Sequence, residues 1–175
     1  MALKIIFLDR DGVINKDIGY LHQIEHCEFI GGVFQACRYL ILLGYQIVIV
    51  TNQSGIGRGL FTQKDFQILT NWMINQFENH GIDILDIFHC PHLPDSDCHC
   101  RKPKPGMILK AEKKYNINLK ESWMIGDSEK DIIAASLAGI PNTILVGSGY
   151  KIDEENSQAK YYLNSIKDIG NVVKF

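Results

Sequence analysis

Apolar positions along the chain fall into short, largely β-branched runs separated by longer amphipathic stretches. The runs at 4–8, 46–50, 85–89, 122–125 and 142–146 are each short enough and apolar enough to be a buried parallel strand. Between them, 32–43 carries a broad apolar face, and Phe66, Leu69, Met73 and Phe77 recur at helical spacing over 62–77. Thr62 followed by Asp65 predicts an N-terminal cap. Pro105 suits the first turn of a helix bearing Met107, Ile108, Ala111 and Tyr115, and Ile132, Ala135 and Leu137 predict another, closed by Gly139. A surface excursion over 151–160 precedes a last short strand and helix. This alternation predicts an α/β protein: one open parallel sheet with helices on both faces, residues 1–175 forming a single domain. In such sheets ligands sit beyond the carboxyl ends of the strands, so the residues that follow strands are the ones to read for chemistry.

Composition narrows the classes of function. With 46% hydrophobic residues in 175, a core large enough for independent stability is available. Eighteen basic against twenty acidic residues give a net charge of −2, too balanced for a protein that lives on nucleic acid or anionic lipid, so a phosphate site must be local. A charge arrives at Lys4, too early for a signal peptide, and no apolar run approaches membrane-spanning length. A cytoplasmic monomer without nucleic-acid or membrane partners is expected. Five cysteines are present, and Cys90, Cys98 and Cys100 crowd beside His92; in a reducing compartment that clustering suggests metal rather than disulfides.

Asp9-Arg10-Asp11-Gly12 places two carboxylates where the first strand ends. One can attack phosphorus as a nucleophile while the other delivers a proton to the departing alcohol. Mg²⁺ is the natural companion, because it binds through few carboxylates plus substrate phosphate oxygens. Alone, the tetrapeptide reads more readily as an ordinary strand-to-loop turn. Thr51-Asn52-Gln53-Ser54 adds a hydroxyl, amides and backbone N–H groups after the second strand, Lys102 beside Arg101 adds a cation for a trigonal phosphoryl group, and Asp127 adds a third carboxylate, with Asp131 one helical turn on. Four suitable side-chain types at four strand ends argue jointly for chemistry. Cys90, His92, Cys98 and Cys100 have the spacing to close a tetrahedral Zn²⁺ site. His89 and His99 are expected to stay out of it, as are Cys27 and Cys37. Such a site has no open position for catalysis; its expected work is mechanical, fixing Arg101 and Lys102, which directly follow Cys100.

Asp9-Arg10-Asp11-Gly12-Val13, Thr51-Asn52, Lys102 and Gly126-Asp127 with Asp131 resemble the four motifs of the haloacid dehalogenase superfamily of phosphohydrolases over nearly the whole chain. The resemblance implies a Rossmann-like fold, Asp9 as nucleophile, Asp11 as general acid/base, Thr51 and Lys102 as phosphoryl-stabilising groups, and Mg²⁺ held by Asp9, the Asp11 carbonyl and Asp127, with Asp131 supporting that site. No large cap domain fits between the motifs, so loops must grip the substrate. The zinc loop and Arg101-Lys102-Pro103 resemble a subgroup of heptose bisphosphate phosphatases and histidinol-phosphate phosphatases. Asp17-Ile18-Gly19-Tyr20 and Thr51-Asn52-Gln53-Ser54-Gly55-Ile56-Gly57-Arg58-Gly59 are closer to the heptose enzymes, which implies a small phosphorylated sugar as partner and a place in the synthesis of lipopolysaccharide precursors. There Asp17, Gly19 and Tyr20 would meet sugar hydroxyls, Asn52, Gln53 and Ser54 would line the phosphate cradle, and Arg101 or Arg58 would clasp a second phosphate. The five residues between His92 and Cys98 resemble the histidinol-phosphate version, and Ser128 stands where the family commonly has lysine. The competing readings are histidinol-phosphate hydrolysis and a catalytically silent, zinc-stabilised binding module. Residues 55–59 read equally as a flexible glycine turn.

Overall fold

A computed structural model of the protein describes residues 2–149 and 151–175. Six parallel strands form one sheet: β1 (Ile5–Leu8), β2 (Gln46–Asn52), β3 (Ile84–Cys90), β4 (Trp123–Gly126), β5 (Asn142–Val146) and β6 (Tyr161–Leu163), in the order β3-β2-β1-β4-β5-β6. The chain leaves β1 toward one edge through β2 and β3, then returns to pair β4 on the other side of β1. The tips of β1 and β4 therefore flank the point where the winding reverses, which is where a crevice opens in such sheets.

Alternation along each strand splits the core between two faces. Ile6 and Leu8 of β1, Ile47 and Ile49 of β2 and Ile125 of β4 pack with α1 (Val33–Leu42), α3 (Gln63–Asn79) and the terminal 3₁₀ turn Ile166–Asn171. Ile5, Phe7, Val48, Val50 and Met124 point the other way, onto α4 (Gly106–Tyr115) and α5 (Glu129–Ala138). Burial on both faces is the reason these strands read as continuous apolar runs. The Thr62 cap forms as expected, a reciprocal capping box with Asp65, and Gly139 closes α5 at φ +96°, a conformation that costs glycine little. Pro105 sits one position earlier than predicted, as the residue before α4.

The glycine-rich stretch is not a loose turn. Ser54–Gly57 forms a short helix, α2, whose Gly57 N–H donates to the Pro91 carbonyl at 2.9 Å, seating it against the loop that leaves β3. Among the described residues no second sheet is inserted between β1 and α1 or between β3 and α4; loops and one 3₁₀ turn, Ile24–His26, fill those intervals. Among the described residues no helix is long and apolar enough to cross a membrane.

Candidate active site

Asp9 follows β1 and Asp127 follows β4, and the sheet register sets them side by side. Asp131, on the first turn of α5, points at the same spot; one carboxylate oxygen each from Asp9, Asp127 and Asp131 lies within 4.8 Å of the others. Gly12 makes this approach possible. It adopts φ +88°, and a Cβ there would collide with the Asp127 carboxylate. Into the cluster reaches Lys102, only 3% exposed: its Nζ donates to Asp9 Oδ1 at 2.7 Å and to the Val50 carbonyl at 2.8 Å, and pairs with Asp131 Oδ1 at 2.6 Å. Asn52 fixes the Lys102 backbone from both sides, accepting from its N–H at 3.0 Å and donating to its carbonyl at 3.1 Å.

The charges are crowded. Burial, then the charge of Asp131, hold the Asp9 carboxyl well above the usual range against the opposing pull of Lys102. Burial and Asp131 likewise push Asp127 up to about 6. For Lys102, burial favours loss of the proton, but the negative charges of Asp131 and Asp9 outweigh it and raise its pKa. One buried ammonium thus serves three carboxylates, and a hard divalent cation fits the deficit. Both oxygens of Asp131 are already engaged, Oδ1 by Lys102 and Oδ2 by the Ser128 N–H at 3.2 Å. Asp9 and Asp127 are left to bind a cation, with Asp131 as support. Ser128 itself caps α5, accepting from the Lys130 N–H at 3.3 Å.

Asp11 is held by three neighbours. Arg10 donates to its two oxygens at 3.0–3.3 Å, Asn15 Nδ2 to Oδ1 at 3.0 Å, and Gln53 Nε2 to Oδ2 at 3.2 Å. Gln53 Nε2 also donates to Thr51 Oγ1 at 2.9 Å, and Arg10 Nη2 to the Leu21 carbonyl at 3.1 Å, joining the 17–21 loop to this network. Sequence reasoning missed Arg10 and Asn15. The signal for Arg10 was its place between two acids, where a buried arginine has carboxylates to pair with.

A cavity of about 370 Å³ opens above these groups. Asp9, Asp11, Asp17, Gly19, Tyr20, Asn52, Gln53, Ser54, Lys102 and Asp127, all singled out from the sequence, line it together with Arg10, Lys130 and Asp131. Three expected residues are not on the wall. Thr51 is buried behind it; Arg58 stands 6.0 Å over the Tyr20 ring; and Arg101 buries an Nη1 atom that has no partner among the described residues.

The loop leaving β3 brings Cys90, His92, Cys98 and Cys100 together, one donor atom from each within 4.8 Å. His92 Nδ1 lies 3.4 Å from Cys90 Sγ and 3.2 Å from Cys100 Sγ, and Cys90 Sγ lies 3.8 Å from Cys98 Sγ and 2.9 Å from Cys100 Sγ. A zinc tetrahedron with bonds of about 2.0–2.3 Å has edges of roughly 3.5 Å, so the donor set fits that ion. Burial, then the neighbouring Cys100, push the Cys90 thiol up to about 12, and a bound cation would reverse this. Slight burial opposes the shift at Cys98, but the Arg101 N–H and its neighbouring donors prevail and lower its pKa, so the cluster grips the residue beside Lys102 through its backbone. His89 stays outside, 3.0 Å from Gln63 Oε1, and His99, Cys27 and Cys37 are also absent from the cluster.

Comparison with known proteins agrees with this geometry. The HAD-hydrolase-like family profile matches residues 99–169. The chain is 48% identical over 164 residues to a D-glycero-alpha-D-manno-heptose-1,7-bisphosphate 7-phosphatase of Photorhabdus laumondii, covering 90% of each chain. It is 46% identical over 178 residues to a D-glycero-beta-D-manno-heptose-1,7-bisphosphate 7-phosphatase of Pasteurella multocida, covering 98% of this chain and 97% of the relative. The crystal structure of D,D-heptose 1,7-bisphosphate phosphatase from B. bronchiseptica, complexed with magnesium and phosphate, superposes with a TM-score of 0.88 at 32% identity over 97% of both chains. With that sheet, those strand-end carboxylates and relatives this similar along almost the full length, the chain belongs to the HAD-like phosphatases, in the family of the heptose-bisphosphate phosphatases.

Proposed function

We propose that the protein is a single-domain, Mg²⁺-dependent phosphomonoester hydrolase that removes the 7-phosphate of D-glycero-D-manno-heptose 1,7-bisphosphate through an aspartyl-phosphate on Asp9. The observation that carries this reading is the carboxylate of Asp9, pinned by Lys102 Nζ at 2.7 Å on the floor of an open cavity with Asp127 beside it. An Asp9 oxygen attacks phosphorus as the bond to the sugar oxygen breaks, and Asp11 gives that oxygen its proton. Asp11 then takes a proton from a water whose oxygen attacks phosphorus, releasing phosphate and restoring the Asp9 carboxylate. Lys102 stabilises the phosphoryl oxygens during both transfers, and Thr51 supports the cradle through Gln53. Bound by Asp9, Asp127 and the Asp11 carbonyl, Mg²⁺ would neutralise charge shared between the carboxylate and the phosphoryl group.

Zn²⁺ at Cys90, His92, Cys98 and Cys100 holds Arg101 and Lys102 in place and takes no part in the chemistry. Asp17, Gly19, Tyr20, Asn52, Gln53 and Ser54 contact the sugar and its phosphate from the cavity wall, whereas Arg58 and Arg101, expected at the second phosphate, stand off that wall. None of the five cysteines is in a disulfide, which suits the cytoplasm, and the protein acts as a monomer on a diffusible sugar.

Relatives acting on either anomer are similar to this chain. The test is a side-by-side assay of both heptose 1,7-bisphosphate anomers and histidinol phosphate, each with and without Mg²⁺. Magnesium-dependent phosphate release, fastest from a heptose bisphosphate, is the expected result. Preference for histidinol phosphate would overturn the substrate assignment, and absence of release from all three would leave only a binding module.

A further inference from the structure

The cavity wall is short of uncommitted positive charge. Five carboxylates line it, from Asp9, Asp11, Asp17, Asp127 and Asp131, against three cations, Arg10, Lys102 and Lys130. Two of those cations are spoken for: Arg10 is bound to Asp11 at 3.0 Å and Lys102 to Asp9 and Asp131 at 2.7 and 2.6 Å. The Lys130 side chain forms no ion pair or hydrogen bond among the described residues. It is exposed, and it faces the same cavity.

Its backbone is nevertheless well fixed. Ser128 Oγ accepts from the Lys130 N–H at 3.3 Å, and the capping box between Ser128 and Asp131 locks the turn on which it stands. Lys130 therefore rises from the same helical turn that delivers Asp131 to Lys102, adjoining the reaction centre without being consumed by it. A substrate with one phosphate needs only the cradle of Asp9 and Lys102. A substrate with two brings a second dianion into a wall that is already net negative, and needs a cation not yet neutralised.

We propose that Lys130 holds the phosphate that is not cleaved, and so sets the preference for a bisphosphate over a monophosphate. The assignment rests on the heptose-bisphosphate reading. An ammonium takes phosphate as a compact point charge on a flexible stem, without the fixed planar fork of a guanidinium. It suits an anion whose position shifts with the sugar's pose. Arg58 and Arg101 carry the same sign, but neither lines the cavity.

The experiment compares kcat and KM for heptose 1,7-bisphosphate and heptose 7-phosphate in the wild type and in Lys130→Ala, Lys130→Gln and Lys130→Arg. Loss of one charge-assisted contact to a phosphate should lower the bisphosphate-to-monophosphate ratio of kcat/KM by about tenfold in the Ala and Gln proteins. The change should fall mainly on KM for the bisphosphate, and Arg should restore most of the ratio. A ratio that stays at the wild-type value, or two substrates that decline together, would overturn the assignment while leaving the heptose reading intact. A wild-type protein that releases no phosphate from the bisphosphate would bring down both.

Discussion

Two clusters of side chains with metal-ligating donor atoms lie at the tips of this sheet, and they handle crowded negative charge in opposite ways. At β1 and β4, carboxylates share a built-in cation, Lys102, and open onto a cavity. On the loop leaving β3, three sulfurs and an imidazole converge, one donor atom from each lying within 4.8 Å of the others. The first arrangement leaves room for a substrate oxygen to join the charge balance. The second is filled by protein atoms, which suits a structural ion. Lys102 connects them: its side chain belongs to the carboxylates, while its backbone follows the thiol loop and is clamped by Asn52. In the function proposed above, one cluster reacts and the other holds the reacting cluster's cation in place.

The largest expected effect comes from removing the attacking charge. Asp9→Asn should lower turnover by about 10⁴-fold or more without lowering the melting temperature, because it relieves repulsion with Asp131 and leaves Lys102 its second partner. Steady-state kinetics with thermal melting checks this; substantial turnover would mean that the reactive cluster has been misassigned. Lys102→Gln should cost roughly 10²–10³-fold in kcat and also destabilise the fold, since Asp9 and Asp131 are left buried and unpaired. A mild kinetic effect would show that Lys102 balances charge without stabilising the transferring group.

Breaking the second cluster should have a smaller and different signature. Cys98→Ala, or removal of zinc by a selective chelator with Mg²⁺ held in excess, should reduce activity about tenfold, lower thermal stability and loosen the backbone at Arg101 and Lys102, as read by hydrogen exchange. Full activity in zinc-free protein would contradict the holding role.

The smallest effect concerns an anchor of β3 that needs no metal. Asp86 bonds Lys114 Nζ at 2.7 Å and Tyr115 Oη at 2.8 Å on α4. Burial works to raise its pKa, but those bonds and the Ile87 N–H outweigh it and lower the value. With the folded value depressed, the stabilisation is present above the ordinary carboxylate pKa and is lost as pH falls through the folded one. Asp86→Asn should therefore cost about 0.5–1 kcal/mol near neutrality and flatten the acid limb of stability measured by denaturant titration. An unchanged acid limb would remove this anchor from the account.

The central strands were legible because burial on both faces leaves apolar runs, and the nucleus of the site because Asp9 and Asp127 each follow such a run. The thiol cluster was legible from spacing alone. Contacts that depend on the packing of separate loops were not. Nothing in the order of residues says that Arg10 turns to Asp11 and the Leu21 carbonyl, that Thr51 sits behind the wall rather than on it, or that Arg58 lies over Tyr20 while Lys130 faces the cavity. Residues 55–59 gave a glycine pattern whose packing on the Pro91 carbonyl exists only once β3 is in place.

The most direct test of the central claim is to quench the enzyme during turnover of heptose 1,7-bisphosphate and map the phosphoryl group by mass spectrometry. An acyl phosphate is expected on the peptide that carries Asp9, absent from the Asp9→Asn protein. A phosphoryl adduct found consistently on another residue, or one that persists in Asp9→Asn, would contradict it.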